Sequence, residues 1–561
     1  MTDRSTIPIV TVKRQRKFTL PTTRHILIDT AVLLIVLVVT TLLQWASGAH
    51  SAAFGAESDE ASHYVTSVMV RDYVVLSPRA NPIPFAKEFY VHYPRVAFGL
   101  WPPLFHISSG AWMLAFGTAR GSIMSWLVTL TSISAFVFYR ISRPLLGLVG
   151  ATIATLLLVL LPITQQATSA VMPDMAFALI MLLAMAAYAR YLTDERTKDA
   201  FMFGLWAAIA FLVKYNAFAL ALLPPLCVVI TGRFYLLRRS SFWVPAAVVI
   251  VIAAPWYFIM RHLVLYAAEP GSDGMTIWAS LVANAKGVIF IAGPIMFALA
   301  VLGFGLVRAG RLQWEAKSKE WSLCIVGAAM IMALFIFHST IYPIYEPRYL
   351  LPATPPLILL AAQSVRYVQS AFSKRSALVM AALLVLMAAH AALTFAVSAK
   401  KTSAYVTATD AVLASGLPHN GGVLVSADGI GEGMLTAEFA MRDQRPDHYV
   451  VRASKVLANQ RLMGDKYELR YQTPDEIMSL LDSIPIAMVV MQQCPKGRCG
   501  EHENLLDQTA TRYPQRWRLS SVVPSEIGSP IRIYQIIGNE SKAVRSLQID
   551  MTNTLGTTVE K

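Results

Sequence analysis

I-L-I-D-T-A-V-L-L-I-V-L-V-V-T-T-L-L-Q-W-A, from Ile26 to Ala46, is one apolar run of membrane-crossing length. A basic segment with Lys13, Arg14, Arg16 and Lys17 precedes it, and no small-residue cleavage site follows a short core. The run reads as a retained span rather than a removed signal peptide. Its basic flank places residues 1–25 in the cytoplasm. Everything immediately after Ala46 then starts on the outer face.

The chain has 561 residues, 55% of them hydrophobic and 15% charged, and apolar runs keep recurring. They fall at 122–139, 145–161, 172–191, 200–213, 217–230, 242–261, 288–307, 321–337, 349–365 and 377–397. With the first run, this predicts an α-helical polytopic membrane protein of about eleven spans, with room for twelve or thirteen. The formal charge of +14 would point to nucleic acid in a soluble domain. Here the basic residues cluster in short loops, such as Arg140 with Arg143 and Arg238 with Arg239. They set topology, and no nucleic-acid partner is expected.

The first outer loop, 47–121, carries A-E-S-D-E-A-S-H-Y-V-T-S-V-M-V-R-D-Y-V from Ala56 to Val74. Ser58 suits an N-cap, and Asp59 and Glu60 fall in the first turn, where the helix dipole favours acids. Ala61, Tyr64, Val65, Val68 and Met69 form an apolar stripe, and Asp59 and His63 share the opposite face. Such a helix is expected to lie on the membrane surface. Further on, Trp101 to Gly117 is apolar but short and opens with two prolines after the tryptophan. It predicts a re-entrant or interfacial helix.

From about residue 398 to 540 the composition is that of a small extracytoplasmic α/β domain. Strand-like runs occur at Gly422 to Ala427, His448 to Arg452, Ile486 to Met491 and Ile531 to Ile537, and Thr473-Pro474 is a helix start. Residues 541–561 are expected to be disordered. A-D-G-I-G-E-G, from Ala427 to Gly433, looks like a dinucleotide loop, but the third glycine is misplaced and position 434 is Met. It reads as a flexible loop, with no NAD. Cys494 and Cys499 share one polar loop and form a disulfide candidate if that loop is extracytoplasmic.

The unusual polar residues collect on one side of this topology. Asp59, Glu60, His63, His92, Arg95, Asp174, Lys214, Glu346 and Arg348 all map to outer loops or outer span ends. Asp59 and Glu60 are either solvated helix-start acids or a general base acting on a hydroxyl. A metal held by Asp59, Glu60, His63 and His92 is the third reading, but the spacing is not that of a zinc site. Arg348 follows Pro347 at a helix start, an arrangement suited to an anion, beside Tyr349. The bland reading of Arg348 and Lys214 is snorkelling at the interface.

At these residues the chain resembles the GT-C superfamily of membrane glycosyltransferases. It is similar to the bacterial branch (glycosyltransferase family 39-like) related to protein O-mannosyltransferases and to the lipid A aminoarabinose transferase. The resemblance rests on Asp59-Glu60, the Y-P…W-P-P-L-F segment from Tyr93 to Phe105, M-P-D at Met172 to Asp174, and E-P-R-Y-L-L-P-A at Glu346 to Ala353. It covers most of residues 26–397. One departure is that Ala61, Ser62 and His63 stand where the family often has an arginine after the acids. The resemblance implies a polyprenyl-phosphate sugar donor, an outer-face acceptor hydroxyl on lipid, glycan or protein, and inversion at the anomeric carbon. It also implies a bacterial inner membrane location. Asp59 and Glu60 would be catalytic, and His63, His92, Arg95, Asp174, Lys214, Glu346, Arg348 and Tyr349 would bind substrate. No cofactor is required, with a divalent metal as the open alternative. A polytopic transporter or flippase for glycan or lipid precursors is the competing class, although paired repeats and midplane charges are not evident.

Overall fold

Hydropathy sees continuous apolar runs, and backbone breaks decide how many of them become long helices. The structure is a computed structural model describing residues 23–268, 275–312, 314–315, 318–371, 385, 389, 392–393, 402–459, 467–493, 500–551 and 557–560. The chain opens with α1 (Thr23–Ala46), then α2 (Glu60–Leu76), α3 (Pro82–His92) and α4 (Leu104–Phe116) in the first loop. There follow α5 (Arg120–Leu160), α6 (Pro162–Thr168), α7 (Asp174–Asp194), α8 (Thr197–Phe211) and α9 (Leu223–Thr231). Next come α10 (Ser240–Ile252), α11 (Ala254–Ile259), α12 (Arg261–Ala268), α13 (Ile277–Ala292), α14 (Pro294–Arg308), α15 (Lys319–Ile336) and α16 (Thr354–Ala371).

Among the described residues, four helical stretches are long and apolar enough to cross a bilayer, five if the bent pair α13–α14 is one span. That is fewer than the count of about eleven read from hydropathy. The difference lies in the breaks. Prolines open α9 and α11, Pro245 lies inside α10, and Gly293 with Pro294 bends α13 against α14 by 99°. Each proline lacks the N–H that would continue the helix. The runs 122–139 and 145–161 both lie in α5, which is kinked at Gly147, where φ is 71°. The run at 377–397 falls almost wholly outside the described residues.

Helix α7 is buried nearly all round and packs against α5, α8 and α15. Because α7 and α8 form an antiparallel pair, the start of α7 and the end of α8 meet at one end of the bundle. The short 3-10 turn Pro347–Ala353 packs against α7 and leads into α16.

Helix α2 is covered by protein on more than one side. Every residue from Glu60 to Met69 is buried, because α4 covers one side and the helix Gly429–Arg442 of the C-terminal domain covers another. Small residues allow the α2–α4 approach. A side chain at Gly110 would come within 3.1 Å of the Ser67 carbonyl, and the hydroxyls of Ser67 and Ser109 bond at 2.7 Å. Helix α4 has 13 residues, too few to span.

The C-terminal domain is built on β1 (Gly422–Ser426), β2 (Tyr449–Arg452), β3 (Ala458–Asn459), β4 (Glu468–Leu469), β5 (Ile486–Gln492), β6 (Trp517–Val523) and β7 (Ile531–Ile536). The main sheet has the order β2-β1-β5-β7-β6. Strand β1 runs parallel to β2 and β5, and β7 runs antiparallel to β5 and β6. Strand β1 is buried along its whole length, as expected when helices cover both sheet faces. Thr473 and Glu476 close a capping box at the start of the Pro474–Ser483 helix. The last residues are not simply disordered. β8 (Gln548–Met551) and β9 (Thr557–Glu560) pair antiparallel, and Val544, Leu547 and Ile549 are buried in the domain core. These apolar side chains anchor a segment whose composition looks like that of a tail.

Candidate active site

The first turn of α2 meets the loop before α7 through Glu60. Its carboxylate accepts from the Ala56 amide at 2.6 Å and from the Val171 amide at 2.9 Å, and the residue is 1% exposed. A carboxylate held by two backbone N–H groups is a fastener, so the catalytic role read for Glu60 does not fit this geometry. Asp59 differs. It occupies the N-cap position with its backbone already helical, makes no capping bond, and is only half-buried. Its carboxylate accepts a long 3.4 Å contact from exposed Ser58. The carboxylate is close enough to Lys214 to act on its charge.

Met172-Pro173-Asp174 opens α7, and Lys214 follows α8 at the same end of the bundle. Lys214 Nζ lies 2.5 Å from Asp174 Oδ1, with the two side chains 12% and 2% exposed. The ammonium also lies 4.4 Å from the centre of the Tyr349 ring. Arg348 sits on the same ring at 5.5 Å, pairs with Glu57 at 3.0 Å and reaches Glu346 at 4.0 Å. Two cations and one aromatic ring therefore form a compact positive cluster, with Asp174 and Glu57 beside it.

Electrostatics connects the cluster to α2. Burial pulls the Lys214 ammonium below the ordinary lysine range and Arg348 adds to the fall, while Asp174 and Asp59 oppose it. For Arg348, burial works against the charge, but Asp174, Tyr349, Glu57 and Glu346 outweigh it and raise its pKa. Arg348 Nε and Asp174 Oδ2 are buried without a hydrogen-bond partner among the described residues. Buried polar atoms left in this state are open positions for a bound group.

His63 stacks on Trp101 at 4.1 Å, and its Nδ1 lies 3.0 Å from His106 Nε2. Burial drives the His63 pKa well down, with His106, Lys214 and Arg348 reinforcing it, and burial alone takes His106 to about 3. Both rings are neutral at physiological pH, so they form an uncharged wall beside the cations. Glu57, Trp101 and His106 were not read as site residues from the sequence. The available signal was the position of Trp101 and His106 around the Pro-Pro pair that opens α4.

Two expected substrate ligands lie elsewhere. His92 is 5% exposed, stacks on Tyr449 at 3.9 Å and hydrogen-bonds the carbonyls of Asp447 and His448. It anchors the C-terminal domain. Arg95 donates to the Gly429 carbonyl of that domain. Sequence position on one face did not reveal that these two residues turn toward the C-terminal domain. Cys494 and Cys499 lie outside the described residues, while Cys227 and Cys324 are buried free thiols.

Residues 102–259 match the family model described as dolichyl-phosphate-mannose-protein mannosyltransferase. The structure superposes on ArnT from Cupriavidus metallidurans bound to undecaprenyl phosphate, with a TM-score of 0.57 and 14% identity, over 93% of this chain and 100% of that one. The fold is GT-C. The oligosaccharyltransferase of Archaeoglobus fulgidus, in complex with zinc and sulfate, also aligns on this chain. Its TM-score is 0.51 at 13% identity, over 82% of this chain and 68% of that one. No curated protein matches by sequence. The GT-C resemblance read from short motifs is thus borne out by a family model and by superposition. The matched family segment includes Asp174 and Lys214, whereas Asp59 and Arg348 lie outside it.

Proposed function

We propose that this chain transfers a sugar from a polyprenyl-phosphate donor to an acceptor hydroxyl at the outer face of a bacterial inner membrane. The observation that carries this reading is the largely buried pair Lys214 and Arg348 on the Tyr349 ring, with the half-buried Asp59 close enough to act on the Lys214 charge. In the step, Asp59 takes the acceptor proton as the hydroxyl oxygen attacks the anomeric carbon. The bond from that carbon to the phosphate oxygen breaks, and polyprenyl phosphate leaves with its charge held by Lys214 and Arg348. Direct displacement inverts the anomeric centre. The step as drawn requires no nucleotide or metal, because Lys214 and Arg348 supply positive charge for the leaving phosphate.

A lipid-linked donor also suits the apolar groove of about 580 Å³ beside Tyr345, lined by Trp278, Val282, Lys286 and Phe290. Trp278 and Phe290 are largely exposed, as isoprenoid-facing or lipid-facing side chains would be. ArnT, which shares the fold, has been seen with undecaprenyl phosphate bound.

The test is sugar transfer from radiolabelled polyprenyl-phosphate sugars in membranes, comparing wild type with Asp59→Asn at equal expression. Loss of a positioned general base is expected to cost roughly 10²- to 10⁴-fold in rate. Equal transfer by both proteins would remove Asp59 from the chemistry. An absence of transfer across a broad donor panel would return the transport reading.

A further inference from the structure

The glycine-rich stretch from Ala427 to Gly433 has no part in the transfer step, yet Gly431 and Gly433 each have a distinct steric reason. Asp428 caps the Gly429–Arg442 helix by accepting from the Gly431 amide at 2.7 Å. A side chain at Gly431 would overlap the Tyr405 hydroxyl. One at Gly433 would meet the Arg95 guanidinium, with Nη2 at 2.9 Å and Cζ and Nε at 3.0 Å. The guanidinium therefore lies flat on the bare backbone of Gly433, and it donates to the carbonyl of Gly429 one turn earlier. This is a docking surface for an arginine from the membrane domain, and it accounts for the bare backbone at Gly433.

The same helix makes a second close approach. A side chain at Gly55 would overlap Met434 and come within 3.2 Å of Ile430. Gly55 is followed by Ala56, whose amide holds Glu60, so the helix presses directly on the turn that starts α2. The Arg95 segment is itself fastened to α2, since the Ala97 amide donates to Thr66 Oγ1 at 2.9 Å. Arg95 also lies within the electrostatic reach of Asp59. Farther along α2, Asp72 pairs with Arg445 at 2.7 Å, with both side chains buried.

We propose that the glycine-rich turn of the C-terminal domain is a positioning element of the transfer site. Gly429 and Gly433 hold Arg95, Ile430 and Met434 hold the Gly55 turn, and together they set the start of the helix that carries Asp59. The domain is on this account part of the catalytic unit and not a detachable sensor. The kinetic consequence rests on the transfer reading above, whereas the docking itself does not.

The test uses the full chain in nanodiscs and the variants Gly433→Ala, Arg95→Ala and the double variant. The methyl of Gly433→Ala meets the flexible end of Arg95, so the cheapest relaxation swings the guanidinium away and leaves the fold intact. Hydrogen exchange over the first turns of α2 is expected to rise in both single variants, and no further in the double variant, because both remove one contact. In donor turnover, kcat is expected to fall on the order of 10- to 100-fold, as for a misplaced catalytic group, while donor KM stays within about twofold. Unchanged exchange over α2 in the single variants, or additive effects in the double variant, would overturn the proposal. If no donor turns over even in wild type, the exchange measurement still decides the docking, and only the transfer reading fails.

Discussion

Asp174→Asn gives the sharpest test of the cation cluster, because the pair it breaks is almost dry. Asp174 is 2% exposed and Lys214 12%, with 2.5 Å between them. At an effective dielectric of about 20, charges in near contact attract by roughly 4 kcal/mol. The amide keeps the shape and still offers an oxygen to the ammonium, but it removes most of that attraction. Lys214 then sits beside Arg348 with burial already pulling its pKa down and its chief opposing charge gone. The sign follows directly. A charged Lys214 exists below its pKa and is lost as pH rises through it, so removing Asp174 moves that loss to lower pH. Losing one preorganised stabiliser of a developing negative charge costs roughly 10²- to 10³-fold in kcat. The assay is the initial rate of sugar transfer in nanodiscs from neutral to alkaline pH, alongside thermal melting. The expected result is a lower kcat and an alkaline limb displaced toward neutrality, with Asp174→Glu restoring most of both. A variant that matches wild type in rate and in alkaline limb would refute the role of the Asp174–Lys214 pair.

Other substitutions separate positioning from chemistry. Glu60→Gln puts an amide N–H against one of the two backbone amides that now donate to the carboxylate, a mismatch expected to cost about 1–3 kcal/mol. It should lower the melting temperature while donor KM in the surviving folded fraction stays near wild type. His106 is held at about 3, below its ordinary 6.5, so the unfolded chain binds a proton there that the folded chain refuses. Stability therefore falls as pH drops from 6.5 toward 3, and His106→Gln is expected to flatten that acid-side decline in the melting temperature.

Much of the candidate site was legible because helix starts announce themselves. Pro173 before Asp174 and Pro347 before Arg348 mark chain entries into helical turns, and charge bias between loops placed both at one membrane face. Lys214 belonged to the same face by counting. The two prolines of the Trp101 segment correctly predicted a short helix. What the pattern did not reveal was direction. Glu60 and Asp59 are neighbours in the chain with equivalent composition, yet one turns inward onto the amides of Ala56 and Val171 and the other stays half-buried without a capping bond. His92 and Arg95 were in the right loop and served a different partner, because the C-terminal domain folds back over it.

By itself the sequence determined that the chain is a membrane protein with several apolar helices, paired acids in its first loop, an arginine at a proline-marked helix start and a GT-C pattern of short motifs. Those properties depend on hydropathy, charge and proline placement, which act locally. Only the tertiary structure decided which acid is free, which cations share the Tyr349 ring, and that the glycine stretch docks Arg95 instead of binding a phosphate. These depend on contacts between segments up to hundreds of residues apart, such as Arg95 with Gly429, whose geometry no local pattern encodes.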